Sequence, residues 1–142
     1  MRSWTSLKKL GYCIMDCDLV CVPVHQEVHW VLAVIDIKQR EVRYYDSLGG
    51  KDRTCLVRHF AHTLPVVVSA FCFDLEHATQ ANLLRYVADE AKGKQDKTLD
   101  VSDWKQLAPS DIPEQKNGCD CGVFMVKFAD WLVRTPRVAL CL

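Results

Sequence analysis

The sequence predicts one mixed α/β domain (α+β in layout), and three observations carry that reading. His29 to Ile37 is nearly continuous in apolar residues, the pattern of a strand buried on both faces. A second β-rich run, Val42 to Asp46, follows after only a short polar break. Two later stretches, Ala81 to Lys92 and Cys121 to Val133, carry their apolar residues at helical spacing or nearly all round.

Taken in order, Leu19 to Val24 reads as a short strand, and Pro23 argues for an edge or strand-end position because it has no N–H for a ladder. Trp30, Val31, Leu32, Ala33, Val34 and Ile35 form the interior of the next strand. Lys38 to Arg40 is polar and turn-like, so a hairpin turning near Gln39 is expected. Ser47-Leu48-Gly49-Gly50 stops the strand that ends at Asp46. Leu83, Leu84, Tyr86, Val87 and Ala91 place a helix over Ala81 to Lys92, with Gly93 as its stop. The final helix, through Val123, Phe124, Met125, Val126, Phe128, Trp131 and Leu132, is expected in the middle of the domain.

The chain has 142 residues, 49% of them hydrophobic and 25% charged, enough for one core and not for two. Its formal net charge of 0 carries no electrostatic footprint for nucleic acid or a membrane surface. Met1 to Leu10 holds Lys8 and Lys9 but no apolar stretch behind them, so no secretory signal is read. The longest apolar run, Leu64 to Phe73, is too short to span a bilayer. The eight cysteines are therefore read as reduced thiols of a cytosolic or nuclear protein, not as a disulfide framework.

Four groups in the order His29, Asp46, Gln115 and Cys121 make up the kit of a cysteine hydrolase: base, orienting carboxylate, side-chain amide and nucleophile. Cys119 and Cys121 compete for the last role. Cys121 lies between Gly118 and Gly122 where a loop becomes the final helix, and free N–H groups at a helix start favour thiolate over thiol. Cys119 lies in the loop and lacks that placement. The ordinary alternatives are a small buried thiol at Cys121, a satisfied strand-end histidine at His29 pointing out of the core end, and a turn-initiating Asp46. Each alternative is credible alone and less so jointly. Strand register decides whether His29 and Asp46 share a face, since a one-residue slip separates them.

A metal site was weighed because Cys13, Cys17, Cys21 and His25 recur every fourth residue. On a helix these positions would spread over about 18 Å, too far for one tetrahedral ion. The spacing also lacks paired C-x-x-C, so these are read as structural thiols, with no metal and no cofactor.

Three motifs then carry a resemblance: Val22-Pro23-Val24-His25-Gln26-Glu27-Val28-His29-Trp30, Tyr44-Tyr45-Asp46-Ser47-Leu48-Gly49-Gly50, and Ile112-Pro113-Glu114-Gln115-Lys116-Asn117-Gly118-Cys119-Asp120-Cys121-Gly122. In order and in spacing they resemble the ubiquitin-like protease family of SUMO-specific cysteine proteases. The resemblance implies a papain-like fold, with a central helix starting at the nucleophile and a mixed sheet carrying the His and Asp. It matches His29 to the general base, Asp46 to its orienter, Cys121 to the nucleophile, Gln115 to the oxyanion-hole amide and Trp30 to an aromatic lid over the substrate tail. A Gly-Gly tail suits a narrow channel under an indole because neither residue carries a Cβ. The implied partners are a SUMO-like modifier and its lysine-linked conjugates, with precursor maturation and isopeptide cleavage as the reactions and the nucleus or cytoplasm as the compartment.

The same resemblance implies a catalytic domain that begins before Trp4 and continues beyond Thr135 to Leu142. The chain is thus expected to be a partial domain, truncated at both ends and weak as a protease alone. Arg53 to Gln80 adds about two dozen residues to a connection that compact domains keep short, and is read as an insertion foreign to the fold. A non-catalytic module that binds the modifier is the alternative from another class.

Overall fold

The computed structural model describes residues 11–26, 28–49, 68–95 and 98–135. Met1 to Leu10, Glu27, Gly50, the Arg53 to Val67 part of the expected insertion, and Pro136 to Leu142 lie outside the described residues. The elements in chain order are a 3-10 turn at Ile14–Asp16, β1 (Leu19–Gln26), β2 (His29–Asp36), β3 (Glu41–Tyr45), α1 (Val68–Gln95), β4 (Lys105–Leu107) and α2 (Cys121–Arg134). The strands form one sheet in the order β1-β2-β3-β4, antiparallel except for β4, which runs parallel to β3.

β2 owes its unbroken apolar run to helices on both faces of the sheet. Leu32 and Val34 point to one side, where they pack with Tyr45 of β3 and with Phe128 and Leu132 of α2. Ile35 points to the other, joining Val42 of β3, Leu84 and Val87 of α1, and Trp104. Since successive side chains alternate across a strand, neither parity could remain polar without burying an unpaired group. β1 forms the outer edge, as Pro23 predicted.

The β2–β3 hairpin turns through residues 37–40. The Gln39 N–H donates to Asp36 Oδ1 at 2.9 Å, and Arg40 takes the left-handed conformation at φ 54°. Arg43 bridges the buried carboxylates, with its Nη2 2.9 Å from Glu41 Oε2 and 3.5 Å from Asp36 Oδ2. The register pairs Leu32 with Tyr45 and Asp36 with Glu41. Continued by one step, it sets Asp46 opposite Val31, two residues from His29 and on its face. The expected hairpin is therefore present, in the register that unites the two residues.

Several expectations need correction. α1 starts at Val68, not Ala81, and passes through Gly93 to Gln95. No Gly or Pro stands between Pro65 and Gly93 to stop it, and a lone glycine near a helix end costs only about 1 kcal/mol. Residues 68–80 of the expected insertion are thus helical, not β-rich. Buried Gln80 ties that helix to the sheet edge by donating from Nε2 to the Leu107 carbonyl at 3.1 Å. β4, three exposed residues, was not anticipated. α2 lies against the sheet on one face only: Cys121, Phe128 and Leu132 are buried while Val123, Val126, Trp131 and Val133 are exposed. A straight helix on a single sheet buries one stripe, with Phe124, Met125 and Ala129 packed partly buried beside it. His29, expected to leave the core end, is itself buried.

Gly49 closes the turn after β3 at φ 64°, its N–H donating to the Asp46 carbonyl at 3.0 Å. A Cβ there would meet Glu114 Oε1 at 2.5 Å, the movable end of a side chain, so backbone strain sets the cost. Gly49→Ala should destabilise the fold by about 1–2 kcal/mol. A lowered urea midpoint with an unchanged slope is the expected reading, and an unchanged midpoint would contradict it.

Candidate active site

Four polar side chains are buried where the β2–β3 end of the sheet meets the loop before α2: His29, Asp46, Ser47 and Gln115. Buried polar groups survive only when paired, so their bonds define the site. His29 Nε2 lies 2.7 Å from Asp46 Oδ1, with side-chain exposures of 2% and 8%. Asp46 Oδ1 also accepts the Leu48 N–H at 2.9 Å, which fixes the carboxylate in the turn.

That pair determines the imidazole tautomer. A carboxylate only accepts, so Nε2 of His29 carries the hydrogen and a neutral ring keeps its lone pair on Nδ1. Nδ1 is buried and has no hydrogen-bond partner among the described residues. An orphaned basic nitrogen in a dry pocket is costly unless it serves a proton donor. The ring is thus locked with its basic atom unspent.

Cys121 is the first residue of α2 and is buried, whereas Cys119 is exposed. The helical ladder opens with the Phe124 N–H to Asp120 carbonyl bond at 3.0 Å, which leaves the Cys121, Gly122 and Val123 N–H groups ahead of it. Asp120, the N-cap residue, makes no side-chain cap, because its Oδ2 instead accepts from Asn117 Nδ2 at 2.6 Å. Asn117 organises the whole turn: its Oδ1 also accepts the Cys119 and Asp120 N–H groups at 2.9 and 3.0 Å. The first N–H groups of α2 are therefore not capped by the Asp120 side chain.

Gln115 is held at three points. Its N–H donates to the Ser47 carbonyl at 2.8 Å, its Oε1 accepts from Ser47 Oγ at 2.5 Å, and its Nε2 donates to the Asn117 carbonyl at 2.6 Å. Trp30 stands between the two halves of the site. A Cβ added at Gly122 would lie 3.8 Å from Trp30 Cδ1, so the indole edge stands near the start of α2. The other side of the indole packs on His25, directly across the β1–β2 ladder, with ring centroids 4.4 Å apart. Trp30 remains 37% exposed, enough to cover a segment of chain.

His29 and Asp46 are thus brought together, with Gln115 bonded to Ser47 beside them, while Cys121 starts α2 without a hydrogen bond to His29 Nδ1. The sequence reading overlooked Ser47 and Asn117, although an Asn-Gly pair signals a side-chain-built turn. Cys21 packs against the α2-side core, and burial pushes its thiol above the ordinary range. Cys13 is buried near the 3-10 turn and His25 stacks on Trp30, so the fourfold spacing gathers no ligand set. Among the described residues no group of three metal-ligating side chains comes together, and no helix is long and apolar enough to cross a membrane.

Residues 1–77 and 74–139 match the model of the Ulp1 protease family, C-terminal catalytic domain. Ubiquitin-like-specific protease 1A of Arabidopsis thaliana is 40% identical over 134 residues, 94% of this chain and 22% of that protein. Sentrin-specific protease 2 of Rattus norvegicus is 33% identical over 141 residues, 97% of this chain and 19% of that protein. The chain thus spans about a fifth of the length of these relatives. Among solved structures, the C-terminal Ulp1 protease domain in complex with Smt3, the yeast ortholog of SUMO, superposes with a TM-score of 0.67 at 23% identity. That likeness covers 95% of this chain and 49% of the other, and it establishes the expected papain-like α/β fold.

Proposed function

The chain belongs to the Ulp1 protease family, and we propose from that premise that its site hydrolyses the bond after the C-terminal Gly-Gly of a SUMO-like modifier. The substrates are modifier precursors and lysine-linked conjugates, and the nucleus is the compartment the resemblance implies. One observation supports the reading: Asp46 binds His29 Nε2 and leaves the buried Nδ1 without a hydrogen-bond partner among the described residues, free to serve as a base.

His29 Nδ1 takes the proton from Cys121 Sγ, and the thiolate attacks the carbonyl carbon of the terminal glycine. The negative charge that develops on the carbonyl oxygen falls to the Cys121 N–H and the Gln115 side-chain amide. As the tetrahedral intermediate collapses, His29 returns its proton to the departing lysine Nζ, leaving a thioester on Cys121. Water, deprotonated by His29, then attacks the thioester and releases the modifier as a free carboxylate. Asp46 holds the ring and offsets the imidazolium charge throughout. Trp30 roofs the tail, which residues without Cβ can pass. We read residues 1–142 as one catalytic-domain unit, with the added length between Arg53 and Gln80 as an insertion that runs into α1.

SUMO bearing a C-terminal electrophile in place of its carboxylate tests this reading. The chain should gain the mass of one modifier, as only a nucleophile at the end of the tail-binding path would. Reversible binding with no adduct would instead mark a module that holds the modifier without cutting it.

A further inference from the structure

We propose that Asn117 is a positioning residue that keeps the Asp120 carboxylate from capping α2, so that the N–H groups at the helix start stay unpaired beside the nucleophile; this rests on the reading of Cys121 given above. Asp120 is the N-cap residue of α2. Aspartate is among the residues that cap best, its carboxylate accepting the N–H of the second or third helical residue, here Gly122 or Val123. Such a cap stabilises a helix. It would also spend those donors and bind an anion at the end that has to support a thiolate at Cys121.

Asp120 makes no side-chain cap, and two bonds to Asn117 account for that. Its Oδ2 accepts from Asn117 Nδ2 at 2.6 Å, and its own N–H donates to Asn117 Oδ1 at 3.0 Å. The second bond helps hold the Asp120 backbone at φ −87° and ψ 3°, outside the extended region a capping residue takes. The orientation of the Asn117 amide is itself fixed. Oδ1 receives the Cys119 and Asp120 N–H groups, which can only donate, and Nδ2 meets a carboxylate, which can only accept. Turned over, the amide would lose all three bonds.

The ladder of α2 opens at the Phe124 N–H, bonded to the Asp120 carbonyl, so the Cys121, Gly122 and Val123 N–H groups precede it. Asn117 takes up the two N–H groups just before Cys121 and holds the carboxylate that would pair with those just after it. This role needs no contact with substrate.

Labelling by SUMO with a C-terminal electrophile tests the assignment, read as the maximal rate and the concentration that gives half of it. Asn117→Ala should lower the maximal rate about 3- to 10-fold, the scale of a charge at a helix end, and leave the half-saturating concentration within about twofold. Asp120→Ala breaks the same bond from the other side but leaves no carboxylate to cap, so it should label within about twofold of the parent. In the Asp120→Ala background, Asn117→Ala should have no further effect. An asparagine that merely builds the turn would slow labelling by the same factor in both backgrounds, and that result would overturn the proposal. So would an unchanged rate in Asn117→Ala, or an Asp120→Ala as slow as Asn117→Ala. A parent chain that gains no adduct would instead remove the reading of Cys121 and this proposal with it. Should Asn117→Ala fail to fold, Asn117→Asp keeps an oxygen for the two N–H groups, repels the Asp120 carboxylate and carries the same comparison.

Discussion

Cys121→Ser should abolish covalent labelling by SUMO bearing a C-terminal electrophile, while Cys119→Ser leaves the rate within about twofold of the parent. The two thiols are two residues apart and differ in every respect that matters. Cys121 is buried at the first position of α2, ahead of the helical ladder. Cys119 is exposed, and its part in the turn runs through its backbone N–H to Asn117 Oδ1, which serine preserves. Removing the nucleophile of a hydrolytic triad costs on the order of 10⁶-fold in turnover, so labelling should fall below detection. Labelling that survives in Cys121→Ser, or disappears in Cys119→Ser alone, would reassign the nucleophile.

The second large effect is at the base. His29→Ala should lower turnover by about 10⁴-fold or more, because proton transfer is lost in both acylation and deacylation. The same change strands the buried Asp46 carboxylate, which would confuse a loss of folding with a loss of chemistry. His29→Gln separates the two, since its amide can still donate to Asp46 but offers no basic nitrogen. It should fold and remain inactive. Asp46→Asn should cost about 10³- to 10⁴-fold by removing the charge that fixes the tautomer and stabilises the imidazolium. Kinetics of precursor cleavage, set beside urea denaturation of each variant, check these expectations. Full activity in folded His29→Gln would end the account of His29 as the base.

Much of the fold could be read from residue pattern because burial imposed it. β2 lies between α1 and α2, so its apolar run had no polar parity, and the β2–β3 hairpin followed from a short polar break. The joining of His29 and Asp46 could not be read the same way, since it depends on register. The register was settled by packing, in which Leu32 and Tyr45 share the α2 face while Ile35 and Val42 share the other. β4 was illegible because Lys105-Gln106-Leu107 is short, exposed and without alternation. The start of α1 was placed too late because Arg53 to Gln80 reads as an insertion foreign to the fold, whereas its last residues, from Val68, are helical.

Within the site, the residue types of the expected catalytic set were visible, but the means of aiming them were not. Ser47 looked like a strand stop and Asn117 like part of a glycine-rich turn. The Ser47–Gln115 contact joins segments 68 residues apart, which no local pattern encodes, whereas the Asn117–Asp120 contact is local and the Asn-Gly pair signals it. The α2 sequence is apolar nearly all round, and the face through Cys121, Phe128 and Leu132, with Phe124, Met125 and Ala129 beside it, is the one that packs on the sheet.

The most direct measurement takes a peptide with SUMO joined through its C-terminal glycine to a lysine Nζ, incubates it with the chain, and identifies the products by mass. The account predicts two: the peptide with a free lysine, and the modifier ending in Gly-Gly as a carboxylic acid, neither appearing with Cys121→Ser. An intact conjugate that nonetheless binds the chain, or cleavage at any other bond, would contradict it.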